Sequence, residues 1–531
     1  MSLSQYTKHT AALKRLTAVS IIALCALPAH SKSGLNNVDS ISKVITCLES
    51  FNSAASESFE SNKTSTAWST PCKAILADID ELHVGYKSPL ALAKQALLDN
   101  LSLKADSSRL SSAVDQLNEQ IALRNPQIAL DLQSQINSQY FSQCASNSEI
   151  QVGMACYTTS VLKPINDPFS YYQIGSVDTP VLSLSYDIVD RQQDMLIQAA
   201  KQTVNQNQST DLEFRKNLAQ KTLNASDELS VAMQTLLVRE AIERLYLYSF
   251  RTVESQLEAG FSTVVEVERV KSRYESAKQD KDTAIASLNK SLQALNNLLS
   301  KISSSKEQHG LFLINPFSSV YTRDYSKLLQ DTLNKSPDIN SLRYKAESLG
   351  YSSNAAWKAL WPKIQASIVY SPEIAAAISG RSSIWESGIS QIGATLDLTW
   401  SIFDSGLAKS QASYYEKQRQ AAILSLEQLS LEKVNQLDKT YKNIEVGKVQ
   451  LKHSRNAVVQ LSYALLGTEQ RLKAGFEDVT SLIQTVDTFT QAQLQYLSAL
   501  RNQNQRFRQL AFTTNNYGSD TIGDEISGIH W

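Results

Sequence analysis

The sequence predicts an α+β protein in which amphipathic strands lead directly into very long α-helices, with the whole arrangement occurring twice. Three observations support this fold class. An alternating strand pattern occurs once in each half of the chain, and proline is absent between Pro180 and Pro316 and again after Pro372. The tripeptide Ala-Gly-Phe also occurs at matching places in the two halves.

The repeated strand pattern ends at Asp190 in the first copy and at Asp404 in the second. Before each aspartate, apolar and polar residues alternate, as Leu396, Leu398 and Trp400 do with the residues between them. A period of two is typical of a strand whose two faces meet different surroundings. A lipid-facing barrel strand and a strand in a soluble sandwich both fit this pattern.

Each strand pair follows a segment with a helical pattern, over residues 90–125 in the first copy and 325–361 in the second. After Pro126 and Pro362 the period changes from helical to two. Each copy is therefore predicted to contain a helix, a strand, a loop, a second strand, a long helix, a turn and a return helix. The loops are expected at about 141–172 and 371–388.

The two proline-free tracts predict long helices over residues 191–258 and 407–474. Proline is excluded from helix interiors by its missing N–H and its ring, and a helix of this length extends about 100 Å. Such helices cannot be hidden in a globule and must pack against others. The second carries a regular apolar seam of Val434, Leu437, Tyr441, Ile444, Leu451, Val458 and Leu465.

Both long helices are expected to end at a glycine turn, because glycine readily adopts the left-handed conformation. Gly260 and Gly475 occupy matching places in the two copies. Thr263 and Asp478 then suit the N-cap positions of return helices over about 264–302 and 479–513. Thr263 with Glu266 forms a capping-box pattern.

The remaining segments give the domain organisation. A basic start, an apolar run and small residues after it predict a signal peptide over 1–31, for which an amphipathic first helix is the alternative. The first repeat covers 89–302 and the second 325–515, with a linker at 303–324. An N-terminal extension of 32–88 precedes the repeats, and a flexible tail of 516–531 follows them.

Four cysteines follow the signal peptide, and an even number in an exported chain favours disulfides. Pairs close in sequence are the favoured pairing, with free buried thiols as the alternative: Cys47–Cys72 and Cys144–Cys156. The extension would then be a helical pair tied by a disulfide.

Composition excludes several function classes. A net charge of −1 gives no indication of nucleic-acid binding, and no stretch of about 20 apolar residues could span a membrane as one helix. No histidine lies at zinc-ligand spacing from a cysteine, so no metal site is expected. The sequence lacks a nucleophile elbow and a phosphate-binding glycine loop, so neither an enzyme nor a cofactor is predicted.

The repeated unit resembles the TolC family of outer-membrane efflux proteins over about residues 90–515. The segment Leu398-Thr-Trp-Ser-Ile-Phe-Asp-Ser-Gly406 and the paired Ala-Gly-Phe turns carry the resemblance. It implies a homotrimer in which each protomer contributes four strands to one shared transmembrane β-barrel. The long helices would form a coiled-coil barrel across the periplasm. Four strands from one chain leave open edges, which lipid does not tolerate.

The resemblance also implies a function in the bacterial outer membrane, as the exit duct of a tripartite efflux pump or a type I secretion system. Expected partners are a periplasmic adaptor protein, an inner-membrane efflux pump or ABC transporter, and outer-membrane lipid. The sequence does not identify the cargo. The alternative is a structural coiled-coil protein of the envelope without a pore, although such a scaffold would not need amphipathic strands.

The family places the two turns at the periplasmic tip, where they meet the adaptor. The docking residues would be Ala259, Gly260, Phe261, Ala474, Gly475 and Phe476. Ordinary hairpin geometry also explains both glycines.

Acidic residues at the family's entrance select by charge, but this sequence has Ser481 and Gln484 at those positions. The gating candidates are these two residues with the acids nearby: Glu266, Glu477, Asp478, Ser481, Gln484 and Asp487. Helix capping alone accounts for Glu266 and Asp478.

Overall fold

The structure, a computed structural model, describes residues 89–143, 149–152, 155–158, 169–300, 324–371, 374–379, 382–387 and 391–515. The predicted signal peptide, extension and tail lie outside these residues, as does the linker except for Asp324. The same is true of Cys47, Cys72 and Cys144, so both proposed disulfides remain predictions.

The first half begins with two helices, α1 (Pro89–Asp99) and α2 (Leu101–Ala122), and continues through four strands. These are β1 (Gln127–Gln143), β2 (Glu149–Val152), β3 (Ala155–Thr158) and β4 (Phe169–Val189). The half ends with the long helix α3 (Arg191–Glu258) and the return helix α4 (Val264–Leu298). The α3–α4 pair is called the first hairpin below.

The second half contains the same kinds of element in the same order. Helices α5 (Tyr325–Lys335) and α6 (Pro337–Lys358) precede β5 (Lys363–Ser371), β6 (Ile374–Ser379), β7 (Ser382–Ser387) and β8 (Gln391–Thr399). The long helix α7 (Leu407–Lys473) and the return helix α8 (Val479–Thr513) form the second hairpin. The long and return helices lie where the sequence predicted them, with α4 ending four residues early.

The helical segment before each strand pair is broken in two, where the sequence analysis predicted one continuous pattern. Asn100 has extended backbone angles, and its side chain accepts a hydrogen bond from the N–H of Leu103, which caps α2. Ser336 is also extended because it precedes Pro337, a position that disfavours helical angles. Both breaks therefore follow from residues visible in the sequence.

The strands also extend further than predicted. In the first half β1 continues to Gln143 and β4 begins at Phe169, so both enter the segment expected to be a loop. In the second half β6 and β7 lie within the loop expected at 371–388. These segments pair antiparallel along their length. They are strands because their backbones pair with a neighbouring strand, although their sequences do not alternate apolar and polar residues regularly.

The sheet joins the two halves. Strands β1, β4, β5 and β8 lie side by side in that order, and β6 and β7 extend the sheet beside the far part of β4. Within the described residues, β1 pairs only with β4 and β8 only with β5. The four-stranded part therefore ends in one open edge from each half of the chain.

The helices form a layer with a matching order. The long helix α3 packs against α2 and α4 on the first-half side and against α6 and α8 on the other, and α7 packs against α6 and α8. The hydrophobic core runs along these contacts and includes Leu236, Leu245, Leu465, Val486 and Phe507. Among the described residues, no helix is both long enough and apolar enough to cross a membrane.

Candidate functional site: the turns of the hairpins and the end of the sheet

The two hairpins end in turns with the same backbone geometry. Gly260 and Gly475 have positive φ angles of 80° and 74°. The N–H of Phe261 donates to the carbonyl of Gln256 at 2.8 Å, and that of Phe476 donates to Arg471 at 2.9 Å. This six-to-one hydrogen bond is a Schellman turn, which needs the left-handed residue. The prediction that both glycines end the long helices is confirmed.

The return helices begin with the predicted caps. Thr263 and Glu266 form a capping box, in which the carboxylate of Glu266 accepts from the N–H of Thr263 at 2.8 Å and from the hydroxyl of Ser262. These bonds hold the pKa of Glu266 below its usual value. Asp478 accepts from the N–H of Ser481 at 2.8 Å. Two of the four acidic gating candidates, Glu266 and Asp478, therefore have a structural role at the start of the return helices.

The two turns differ in the surface beside them. Phe261 and Phe476 are 86% and 81% exposed, so each turn presents a free phenyl ring. Val264 and Val265 are also exposed in the first turn, whereas Val479 is buried in the second. The first turn therefore presents a larger apolar surface than the second.

Charged and polar side chains are bonded to one another at the second turn and the start of α8. The carboxylate of Glu477 accepts from the hydroxyl of Ser481 at 2.7 Å and lies 3.6 Å from the guanidinium of Arg471. The guanidinium of Arg269 donates to the hydroxyl of Thr480 at 2.5 Å, which ties the first return helix to the start of the second. The two turns therefore lie at the same level.

The gating candidate with contacts to both hairpins is Asp487. Its carboxylate accepts from the hydroxyl of Tyr246 on α3 at 2.8 Å and lies 3.3 Å from the guanidinium of Arg273 on α4. Burial and this hydrogen bond raise the pKa of Tyr246, so the phenol stays protonated and remains a donor. Beside them Arg239 pairs with Asp280 at 2.6 Å in a shared crevice.

The sequence indicates Asp487 as a gating candidate but does not indicate its partners Tyr246 and Arg273. Tyr246 lies on an apolar stripe and reads as a core residue, and Arg273 reads as one of many surface charges. A tyrosine in a largely aliphatic stripe is the only available signal, since its hydroxyl needs a partner when buried. Gln484 is exposed, one turn before Asp487.

At the other end of the hairpins, the repeated aspartates cap the long helices. Asp190 accepts from the N–H of Gln193 at 2.9 Å, and Asp404 accepts from the N–H groups of Gly406 and Ala408 at 2.9 and 2.6 Å. A carboxylate is favourable there because it satisfies free N–H groups and faces the positive end of the helix dipole. An aspartate therefore accepts from free N–H groups at both joins, but Asp190 is itself the N-cap residue of α3, whereas the N-cap of α7 is Gly406, two residues after Asp404.

The polar face of the sheet carries a small group of charges near this join. The ammonium of Lys363 lies 2.8 Å from Asp187 and 3.1 Å from Asp190. Asp187 and Asp397 both pair in register with Gln365, so the three form a row across β4, β5 and β8. Trp400, at the same end, donates its indole N–H to the carbonyl of Leu360 at 3.1 Å. Within the described residues, no cluster of three or more metal-binding side chains occurs.

Comparison with known proteins agrees with this geometry. Residues 328–516 match the family model described as outer membrane efflux protein. No curated protein matches the sequence significantly.

Solved structures of outer-membrane channels share the fold. The CmeC channel of Campylobacter jejuni is 14% identical, with a TM-score of 0.64 over 83% of this chain and 90% of CmeC. VceC of Vibrio cholerae is 16% identical, with a TM-score of 0.59 over 80% of this chain and 95% of VceC. The open state of MtrE from Neisseria gonorrhoeae is 16% identical, with a TM-score of 0.61 over 80% of this chain and 88% of MtrE.

The resemblance predicted from the strand-to-helix join and the paired turns is therefore confirmed. Residues 328–516 carry the outer membrane efflux protein domain, and the chain has the fold of the TolC-like outer-membrane channels.

Proposed function

We propose that this protein is the outer-membrane exit duct of a tripartite efflux pump or a type I secretion system, and that it works as a homotrimer. One observation carries the proposal: the sheet and the helical layer are both open at their two sides. The first-half side ends in β1, α2 and α4, and the second-half side ends in β8 and α7. The helical part would lie in the periplasm.

The open sides are suited to each other. An unpaired strand edge offers free N–H and C=O groups, which lipid cannot satisfy, so a neighbouring copy must pair with it. Exposed apolar side chains occur on both sides, including Ile285 on α4 and Val446 and Val449 on α7. Because the two sides differ, the contact is head-to-tail, and copies joined in this way form a closed ring when the rotation from one copy to the next is one third of a turn. The repeated element order fits an origin by internal duplication.

The closed ring has a wet interior in this proposal. Leu396 and Leu398 on β8 are exposed and lie on the face opposite Asp397, so the first face would meet lipid and the second the lumen. Catalysis is not part of the proposal, since the matched family and the similar solved structures are outer-membrane channels.

The purified, detergent-solubilised protein should have the mass of a trimer and should conduct ions in planar bilayers. A monomer without conductance would contradict the duct. A trimer that never conducts would favour the structural coiled-coil protein instead.

We propose that the turns dock a periplasmic adaptor, itself bound to an inner-membrane efflux pump or ABC transporter. Exposed aromatic rings at the end of a rigid hairpin are suited to a protein contact, because aromatic residues dominate interface energies. The variant Phe261→Ser/Phe476→Ser should lose co-purification with the adaptor while keeping its trimer mass and conductance. Loss of the trimer as well would show that these rings are only structural.

We propose that Asp487 keeps the entrance closed, since it ties the second return helix to both helices of the first hairpin. Asp487→Asn removes the ion pair with Arg273 and weakens the hydrogen bond from Tyr246. The variant should therefore raise the conductance in planar bilayers. Gln491→Ala, one turn after Asp487, exposed and not among the gating candidates, is the matched control and should leave the conductance unchanged. Equal conductance in all three proteins would exclude this role.

A further inference from the structure

A buried polar layer interrupts the apolar contact between the long helix α3 and the return helix α8. On α3, Asp227, Ser230 and Gln234 are all buried and follow one another at three- and four-residue steps, so they lie on one side of the helix. Arg508 on α8 contacts Asp227 on this side. Asn504, one helical turn nearer the turn of the second hairpin, is also buried. These five residues are called the polar layer below.

Apolar clusters lie above and below the polar layer. Toward the sheet, Leu223 on α3 and Leu510 on α8 belong to one cluster. Toward the turns, Leu245 on α3 and Val486 on α8 belong to another. Separating apolar side chains exposes them to water at a cost that grows with their area, whereas separated polar groups regain hydrogen bonds to water. Helices α3 and α8 therefore come apart at the least cost in the polar layer.

The contact between the two helices of the second hairpin is also polar at this level. The amide of Gln503 lies over Gly447 and donates to the carbonyl of Ile444, and the guanidinium of Arg506 donates to the carbonyl of Asn443, each at 3.2 Å. Glycine inside a helix also lowers the stability of that helix. Gly447 and the polar layer both lie about 40 to 50 Å from the turns, measured along the helices. At this level α8 thus has polar contacts with both of its neighbours.

The first hairpin has no such interruption among its described residues. At the same level Leu236 on α3 packs in an apolar cluster with Leu288 and Leu295 on α4. Just below, Arg239 on α3 pairs with Asp280 on α4 at 2.6 Å. The two helices of the first hairpin are therefore held together at the level where the contacts of the second hairpin are weakest.

We propose that the second hairpin bends at the polar layer and Gly447, and that this bend moves its turn away from a straight first hairpin. Asp487 lies between the polar layer and the turn and opposes the bend, because it ties α8 to both helices of the first hairpin. The Arg508–Asp227 pair holds α8 on α3 at the upper edge of the layer. The inference rests on the proposed function, since it supplies the movement by which loss of the Asp487 contacts would raise the conductance.

An apolar layer in the Asp487→Asn background tests this hinge. Gln234→Met/Asn504→Leu nearly keeps the side-chain volumes and removes two buried amides, so the apolar contact becomes more continuous. The conductance gained by Asp487→Asn in planar bilayers should then return to that of the parent. Thr222→Val is the matched control and should leave the gain unchanged. Its hydroxyl is also buried and bonds within α3, one turn after Leu218, which packs in the cluster shared with α4.

Hydrogen–deuterium exchange of the full-length trimer is a second measurement, which leaves the layer unchanged. In Asp487→Asn the backbone amides around Gly447 and over 500–508 should exchange faster than in the parent, because a bend there opens helical hydrogen bonds to water. Residues 284–295 of α4 should exchange equally in both proteins.

Two outcomes would overturn the hinge. One is a layer variant with the mass of a trimer that keeps the full gain in conductance. The other is equal exchange in Asp487→Asn and the parent around Gly447 and over 500–508. A parent that never conducts would overturn the duct itself, while the exchange comparison would still decide on the hinge, so the two failures are distinguishable.

Discussion

The two hairpins share one plan but bury opposite helices. In the first hairpin the long helix α3 is largely covered and the return helix α4 is mostly exposed on one side. In the second hairpin the return helix α8 is covered and the long helix α7 is open. Phe489 and Phe507 on α8 are almost fully buried, while Leu431 and Tyr463 on α7 are exposed.

Position in the layer explains this reversal. Helices α3 and α8 lie in the middle of one protomer, and α4 and α7 lie at its sides. A helix at the side keeps its apolar residues exposed until another chain covers them. The exposed apolar residues of α7 include Leu424, Leu431, Val446 and Val449, which helical spacing places on one side of the helix. The exposed residues of α7 are therefore better explained by an oligomer than by a lone bundle.

The hairpins also meet through a buried ion pair, and breaking it should have the largest effect on stability. The guanidinium of Arg508 on α8 donates to Asp227 and to the carbonyl of Leu223 on α3, and both charged side chains are almost fully buried. Arg508→Met leaves the carboxylate buried without its charge partner. We expect it to cost about 3–5 kcal/mol of unfolding free energy, measured by unfolding of the purified protein.

The matched changes separate the ion pair from general damage. Arg508→Met/Asp227→Leu should recover part of the loss, since no unpaired charge remains. Lys271→Met breaks the pair with Glu268, in which both side chains are exposed, and should cost less than about 1 kcal/mol. Equal losses for Arg508→Met and Lys271→Met would contradict the view that this contact joins the hairpins.

A smaller effect is expected at Gly447, where the second hairpin departs from the first. The amide of Gln503 and the guanidinium of Arg506 lie over this glycine and donate to backbone carbonyls of α7, each at 3.2 Å. When the two turns are aligned, Ala232 and Leu288 of the first hairpin correspond to Gly447 and Gln503, and both are buried. The second hairpin thus has a polar side chain, Gln503, over a glycine, where the first hairpin has the apolar Leu288 beside Ala232.

Gly447→Ala and Gly467→Ala should therefore have opposite signs. An added methyl group at Gly447 displaces both side chains, and the lost hydrogen bonds outweigh the better helix propensity by about 1 kcal/mol. Gly467 lies in the same helix with no atom near the added methyl, so alanine there should stabilise by up to about 1 kcal/mol. Thermal unfolding measures both. Stabilisation by both variants would show that the contacts of Gln503 and Arg506 over Gly447 do not contribute to stability.

The smallest effect concerns pH at the corner between α5 and α6. Burial opposes ionisation of Asp338, but hydrogen bonds from Lys433 and Ser336, each 2.6 Å, outweigh it and hold its pKa below the usual value. Because the pKa of Asp338 is lower in the folded state than in the unfolded state, ionised Asp338 stabilises the fold at pH values above the usual aspartate pKa, which is near 4. This stabilisation is lost as the pH falls below that value. The corresponding first-half corner uses the neutral amide of Asn100.

Asp338→Asn should accordingly be less stable at neutral pH and should lose less stability than the parent on acidification. Melting temperatures of Asp338→Asn and of the parent, measured from about pH 6 to pH 3, give the dependence of stability on pH for each protein. Asp115→Asn removes an exposed carboxylate and is the control, with an unchanged slope. Parallel curves for Asp338→Asn and the parent would show that this carboxylate does not contribute.

Backbone restrictions made much of this fold predictable from the sequence. Proline exclusion and the turn glycines placed α3 and α7 almost to the residue, and Thr263 and Asp478 gave the starts of α4 and α8. Polar strand segments were missed, because long-range pairing rather than local pattern forms them. The partners of Asp487 were missed for the same reason, since Tyr246 and Arg273 lie in the other half of the chain.

The central claim is that the two open sides of one protomer meet in a ring, and a pair of cysteines tests it directly. Measured along each helix from its turn glycine, the exposed side chains of Ile285 and Val449 lie at nearly the same height on opposite sides. Under oxidation, Ile285→Cys/Val449→Cys should give covalent dimers and trimers that reductant removes, while each single variant should match the parent. In the control Ile285→Cys/Leu431→Cys, the two cysteines differ by about 28 Å in their distance from the turns along the helices, so they should not crosslink. A double variant that stays monomeric, or crosslinks no more than this control, would contradict the account.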